Sequence, residues 1–237
     1  NRHYGRISGA MKIVFSGLDT SIDILPGRAS TLEIKNHTLF ARVCRTFVGT
    51  QKSSQFEPFT VWSDDGEELS YASSILVASD PLRLPWDCSE LSGKLLPKME
   101  ALLMEDEDNR LMFEEYGLLL NGFAERLAYQ VEGEYGFAVE WDIKRYLKTF
   151  GFGIERGEDL PYIDSLNMFI DYAHDMNLKK VLVFINLRTF LSEDDFDSFL
   201  ERVFFHKTSV LMIENELSGE IHALEKKVVV DQHFLEY

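Results

Sequence analysis

The stretch VEGEYGFAVEWD, residues 131–142, sets Glu132, Glu134, Glu140 and Asp142 around two glycines. Calcium takes roughly 6–8 oxygen ligands, and a flexible loop can supply several from alternate carboxylates and backbone carbonyls. The spacing is not that of an EF-hand, and Asp142 doubles as the N-cap of a helix opening at Ile143. The loop therefore reads either as a metal site or as a solvated turn. Clustered acids beside Lys144 also match the inventory of metal-assisted phosphodiester hydrolysis, but no second acid–lysine constellation supports a nuclease.

Basic residues cluster in two places. Lys94 and Lys98 lie about one helical turn apart, and Lys144, Arg145 and Lys148 include an i, i+4 pair. Either set is a solvated helix face or a grip for phosphates, which needs cations and no base readout. The chain as a whole is acidic, with 24 Lys and Arg against 40 Asp and Glu and a net charge of −16. Such a charge argues against sequence-blind adhesion to nucleic acid over the whole surface, while leaving room for one basic face. Lys179 and Lys180 precede an apolar strand and are expected in water.

Phosphate chemistry of the P-loop kind needs a glycine-rich turn, a lysine and a magnesium-binding hydroxyl, as in GxxxxGK[ST], and that pattern is absent. LPGRAST at 25–31 lies before a strand where such a loop should follow one. IKNHTLF at 34–40 has the strand-to-helix position without a glycine. The apolar run Val181–Ile185 ends at Asn186, where a metal-holding acid would stand. Cys44 and Cys88 have no CxxC partner and read as two buried thiols in a reducing compartment. The six histidines are scattered and define no catalytic pair.

The elements that must position these residues follow from periodicity. Met11–Phe15, Ile22–Ile24, Thr31–Ile34, Phe59–Trp62 and Ile75–Val77 read as strands, and His37–Val48 as a helix with Leu39, Phe40, Val43 and Phe47 on one face. From Ser89 to Val131 the apolar spacing is helical, predicting a hairpin or bundle with a kink or a start at Pro97 and a water-facing link, EDEDNR, at 105–110. Helices are predicted again after Asp142 and Pro161. Strand 180–185, helix 192–204 and strand 209–214 form a βαβ unit, with Val228–Val230 as a further edge. Ser192 and Asp195 make a capping box, which accounts for the acidic run SEDD.

The expectation is an α/β fold: a degenerate P-loop-like head from residues 11–84 and 150–237, interrupted by an α-helical leg at 85–149. Residues 1–10, NRHYGRISGA, carry Arg2 and Arg6 and read as an expression-tag remnant. No window approaches the roughly 18 apolar residues of a membrane span, so no membrane contact and a cytoplasmic address are expected.

The order of these pieces resembles the Csn-two family of type II-A CRISPR adaptation proteins. The likeness is carried by LKKVLVFINLRTFLSEDDFDSFL and TSVLMIENE, with SSILVASDPL, KLLPKMEALL and the acidic loop before a helix ending in TFGF. The resemblance implies a non-enzymatic, calcium-stabilised homotetrameric ring that holds linear double-stranded DNA in its central hole. It also implies a role in spacer acquisition beside the CRISPR integrase complex and the effector nuclease. Glu132, Glu134 and Glu140 match the family's calcium-binding acids, in a loop that is longer and richer in glycine here. Under this reading some of Lys94, Lys98, Lys144, Arg145 and Lys148 face the hole. The competing readings are a P-loop-like kinase or ATPase and a protein-interaction scaffold.

Overall fold

The computed structural model describes residues 9–49, 57–156, 159–215 and 221–236. Residues 1–8, most of the expected tag remnant, lie outside them. The chain divides into two compact units, Asn1–Trp86 with Gly157–Tyr237, and Asp87–Arg156.

The first unit contains β1 (Met11–Phe15), β2 (Ile22–Ile24), β3 (Ala29–Ile34), α1 (His37–Val48), β4 (Phe59–Ser63), β5 (Glu68–Leu69), α2 (Tyr71–Ser74) and β6 (Ile75–Ala78). The second contains α3 (Ser89–Glu105), α4 (Glu107–Ala128) and α5 (Ile143–Thr149). The first resumes with α6 (Tyr162–Asp175), β7 (Val181–Ile185), a 3-10 turn (Leu187–Phe190), α7 (Glu193–His206), β8 (Val210–Glu214) and β9 (Glu225–Val230).

Five strands form a wholly parallel sheet in the order β6-β7-β8-β3-β9. A separate antiparallel sheet runs β2-β1-β4-β5. Period-2 alternation divides the parallel sheet's side chains between two faces. Val181, Val183, Leu211, Ile213, Leu32, Ile34 and Val228 join one cluster with Leu39, Val43 and Phe47 of α1 and with Ile13, Phe15, Ile22, Ile24 and Val61 of the antiparallel sheet. On the opposite face Phe184 meets Phe199 of α7 edge-on, with ring centroids 6.0 Å apart. Helices α6 and α7 are joined by Asn167 Nδ2 donating to Ser198 Oγ at 3.0 Å.

All six residues of β3 are buried, including Ser30, Thr31 and Glu33. Polar groups there must find partners inside the protein. Glu33 pairs with Lys227 of β9 at 2.5 Å, with side-chain exposures of 3% and 10%. Thr31 Oγ1 donates to Glu225 at 2.5 Å.

In the second unit, Asp106 alone separates α3 from α4, and its side chain accepts from Asn109 N at 2.9 Å. The expected link EDEDNR is therefore mostly the first turn of α4, its acids placed at the positive end of the helix. Helix α3 begins at Ser89 and runs through Pro97. The carbonyl that the proline ring crowds belongs to Gly93, whose backbone has latitude. Trp141 closes the loop onto α4: its Nε1 donates to Phe113 O at 3.1 Å and its ring lies over Gly117, where a Cβ would approach to 2.4 Å. Phe113, Trp141, Tyr146 and Phe150 continue as an aromatic chain, with successive centroids 5.1, 5.6 and 5.0 Å apart.

Truncating one member of a buried ion pair strands the other charge. Lys227→Ala should lower the free energy of unfolding by about 3–5 kcal/mol in denaturant titration, and pairing it with Glu33→Leu should restore most of the loss. A double variant no more stable than the single one would show that the pair is not the source of the effect.

Candidate functional site

Open α/β sheets bind ligands beyond the carboxyl ends of their strands, so that edge is where a nucleotide would sit. Strand β3 reaches α1 through Lys35 and Asn36 alone. Such a turn is too short to wrap a phosphate, and its groups are engaged. Lys35 N donates to Val230 O at 2.9 Å, and Asn36 caps α1 by accepting from Leu39 N at 3.0 Å. Asn36 Nδ2 reaches Gln232 O at 3.2 Å, and Asn215 Nδ2 donates to Ile34 O at 2.7 Å. The amides of a phosphate cradle have no counterpart in this turn.

Strand β7 ends on Asn186 in the left-handed region, φ 54°, with its N–H on Ile213 O at 2.9 Å. The acid at this edge is instead Glu214, at the end of β8 and 1% exposed. It accepts from Arg188 N at 3.1 Å. Burial pushes its carboxyl up to about 7, partly offset by hydrogen bonds from the Arg188 and Leu187 amides. Arg188 lies with its guanidinium carbon 3.8 Å from the Phe196 ring centroid and donates to Glu193 at 2.8 Å. Burial, with Glu214 second, pushes the Cys44 thiol up to about 12, making it unreactive. Both cysteines are free and half-buried rather than buried as the sequence suggested.

Every residue from Val131 to Glu140 is exposed. Among the described residues no three His, Cys, Asp or Glu side chains gather as metal ligands, so Glu132, Glu134 and Glu140 are not drawn into one cluster. Asp142 serves as the cap of α5, accepting from Arg145 N at 2.9 Å. Gly133 lies under the Tyr135 ring, 2.5 Å from where a Cβ would be, so no side chain fits there without moving the ring.

Of the basic residues, Lys94 is exposed and Lys98 half-exposed on α3, and Arg145 and Lys148 are exposed on α5. Lys144 is paired with Glu100 at 2.9 Å, and that hydrogen-bonded carboxylate raises its pKa. It is thereby committed to Glu100 and forms no acid–lysine pair with the glutamates of the loop.

The feature that the sequence left open is the surface of α4. Its apolar spacing predicted a helical hairpin or bundle, and along one face Tyr116, Leu119, Leu120 and Phe123 are each more than half exposed. The periodicity was visible, but it does not distinguish a face buried within the chain from one that a partner covers. No helix among the described residues is long and apolar enough to cross a membrane.

Glu214 supplies a pH test. Its folded pKa lies above the 4.5 of the free group, so its ionisation opposes folding, and stability is lost as pH rises from the unfolded value through about 7. Between pH 5 and 8 the natural chain should lose on the order of 3 kcal/mol more than Glu214→Gln, which keeps an acceptor for the Arg188 amide. Parallel profiles in urea titrations would place the ionisation elsewhere.

A search of curated proteins finds no match. Among solved structures, Stu0660 of Streptococcus thermophilus superposes with a TM-score of 0.55 at 15% identity, over 93% of this chain and 75% of that one. MJ1267, an ATP-binding cassette of an ABC transporter in its ADP conformation, gives a TM-score of 0.42 at 13% identity, over 88% and 82%. A putative ABC-transporter ATP-binding protein from Pyrococcus furiosus gives 0.37 at 11%, over 92% and 96%. The family model of the CRISPR-associated protein Cas_Csn2 matches residues 53–234, most of the chain, including the β7-α7-β8 unit and the whole helical unit. The chain belongs to the CRISPR-associated Csn2 family.

Proposed function

We propose that this chain acts without catalysis in CRISPR spacer acquisition, as a homotetrameric ring that encloses linear double-stranded DNA. The observation that carries this reading is the uncovered apolar face of α4 in a chain whose nucleotide edge is closed by its own side chains. Large contiguous apolar surface marks an interaction site, and a second copy offers the same face in return. In this reading the first unit is the head and the second the leg of each subunit. The phosphate-handling amides, lysine and hydroxyl of a kinase or ATPase are all missing, which supports a binding role.

Lys94, Lys98, Arg145 and Lys148 would meet the duplex backbone, with Lys144 contributing less because Glu100 already neutralises it. Calcium enters the proposal through assembly. Glu132, Glu134 and Glu140 are exposed and apart, so a cation would stabilise the ring by drawing them together with the loop carbonyls. The partners in this reading are the CRISPR integrase complex and the effector nuclease in the cytoplasm.

A closed ring admits duplex only through a free end. Linear fragments should bind and relaxed closed circles of the same sequence should not, in gel-shift assays. Affinity should fall with salt at a log–log slope of about −0.9 per phosphate neutralised. Lys94→Glu, Lys98→Glu and Lys148→Glu should each weaken binding on every sequence and flatten that slope. Equal binding to closed circles would overturn the enclosing ring, and full affinity in all three variants would remove these residues from the contact.

A further inference from the structure

The first unit holds a cleft of about 430 Å³ that the DNA reading does not use. It lies at the amino-terminal ends of β7 and β8, below the last turns of α6 and α7. Lys179, Lys180, Lys207, His174, His206 and Thr208 line it, and among the described residues no Asp or Glu does, in a chain with 40 of them. The basic residues assigned above to the duplex all belong to the second unit. The volume is within the range of small-ligand pockets, about 300–1,000 Å³.

Two helix carboxyl ends face this cleft, and they supply the ordinary reason for bases there. Each contributes roughly −0.5 of a charge, which does not balance Lys179 and Lys207 together. The carbonyls are also partly satisfied within the chain: Lys207 N donates to Phe204 O at 3.2 Å and Thr208 N to Val203 O at 3.1 Å, while Asn177 N reaches His174 O at 2.8 Å. The rings of His174 and His206 lie with centroids 4.3 Å apart, tilted by 35°. Asp171, the acid beside them, is shared between His206 at 2.7 Å and Arg202 at 3.4 Å. Neither Lys179 nor Lys207 forms an ion pair among the described residues.

Lys207 adds an independent observation. It holds the left-handed cap of α7 at φ 52°, a position that favours glycine or asparagine. A lysine there accepts backbone strain that glycine would relieve, and such strain concentrates where a side chain is used.

We propose that this cleft binds a multiply charged oxyanion of the phosphate class, with Lys179 and Lys207 as its principal charge partners. The donor inventory fits: ammonium groups, the Thr208 hydroxyl and imidazole N–H groups surround a volume free of carboxylates. The oxyanion belongs either to a free phosphate compound or to a phosphodiester, and the test separates these sources.

Isothermal titration of the full chain with inorganic pyrophosphate, in chelator and at matched potassium chloride, should give saturable binding of one equivalent per chain. The double variant Lys179→Gln with Lys207→Asn should weaken it at least tenfold. Asparagine tolerates the left-handed cap, so the variant's thermal melt without ligand should match that of the natural chain. If the double variant melts early, Lys179→Gln alone, at an exposed position, should still weaken binding severalfold. No saturable heat in the natural chain, or undiminished binding in a folded variant, would overturn the proposal. Competition identifies the source. Displacement of linear duplex by pyrophosphate, with weaker duplex binding in the variant, assigns the cleft to backbone phosphates; unaffected duplex binding assigns it to a free phosphate compound. A failure of the cleft leaves duplex binding through the second unit measurable on its own.

Discussion

The pairing of Glu33 with Lys227 inside the parallel sheet constrains much of the first unit. Strand β3 lies between β8 and β9, buried along its whole length, and it carries a carboxylate and a hydroxyl into that interior. Both are met from β9, by Lys227 and Glu225. A nucleotide-binding sheet of this kind leaves the end of such a strand open to a ligand. Here β9 continues past it: Val230 and Gln232 accept from Lys35 and Asn36, and the crevice is closed by protein groups. The parallel sheet thereby has its carboxyl edge at β3 satisfied from within the chain.

The second unit has the opposite character. Its internal order rests on a chain of aromatic rings and on Gly117, which lets Trp141 lie against α4. Its outer face carries leucines, aromatics and methionine in water. The acidic loop at 131–140 is likewise exposed along its whole length.

Local signals made much of this legible. The run Val181–Ile185 and the Ser192–Asp195 box fixed the β7-α7-β8 unit because an apolar strand and a capped helix are encoded by neighbours in the chain. The empty phosphate site could be read for the same reason, since the motif it lacks is contiguous. The Glu33–Lys227 pair was not legible, because a lone acid and a lone lysine in separate strands each read as solvent-facing until β3 and β9 are placed side by side. Nor was Glu214, whose carboxyl is raised by burial that only the folded sheet creates. The spacing along α4 was legible as helical, but what covers its apolar face was not, since a face's period carries no mark of its partner. Pro97 proved not to mark the start of its helix, because a proline inside a helical run is compatible with either a first turn or an interior position and its own residue type does not decide.

The central claim is that the apolar face of α4 is buried against further copies of this chain, and solution mass tests it most directly. Light scattering coupled to size exclusion should give four times the 27.4 kDa of one chain, and Leu119→Asp with Phe123→Asp should return the mass to a single subunit that still melts cooperatively. A natural chain that runs as a monomer at high concentration, with calcium present, would contradict the account.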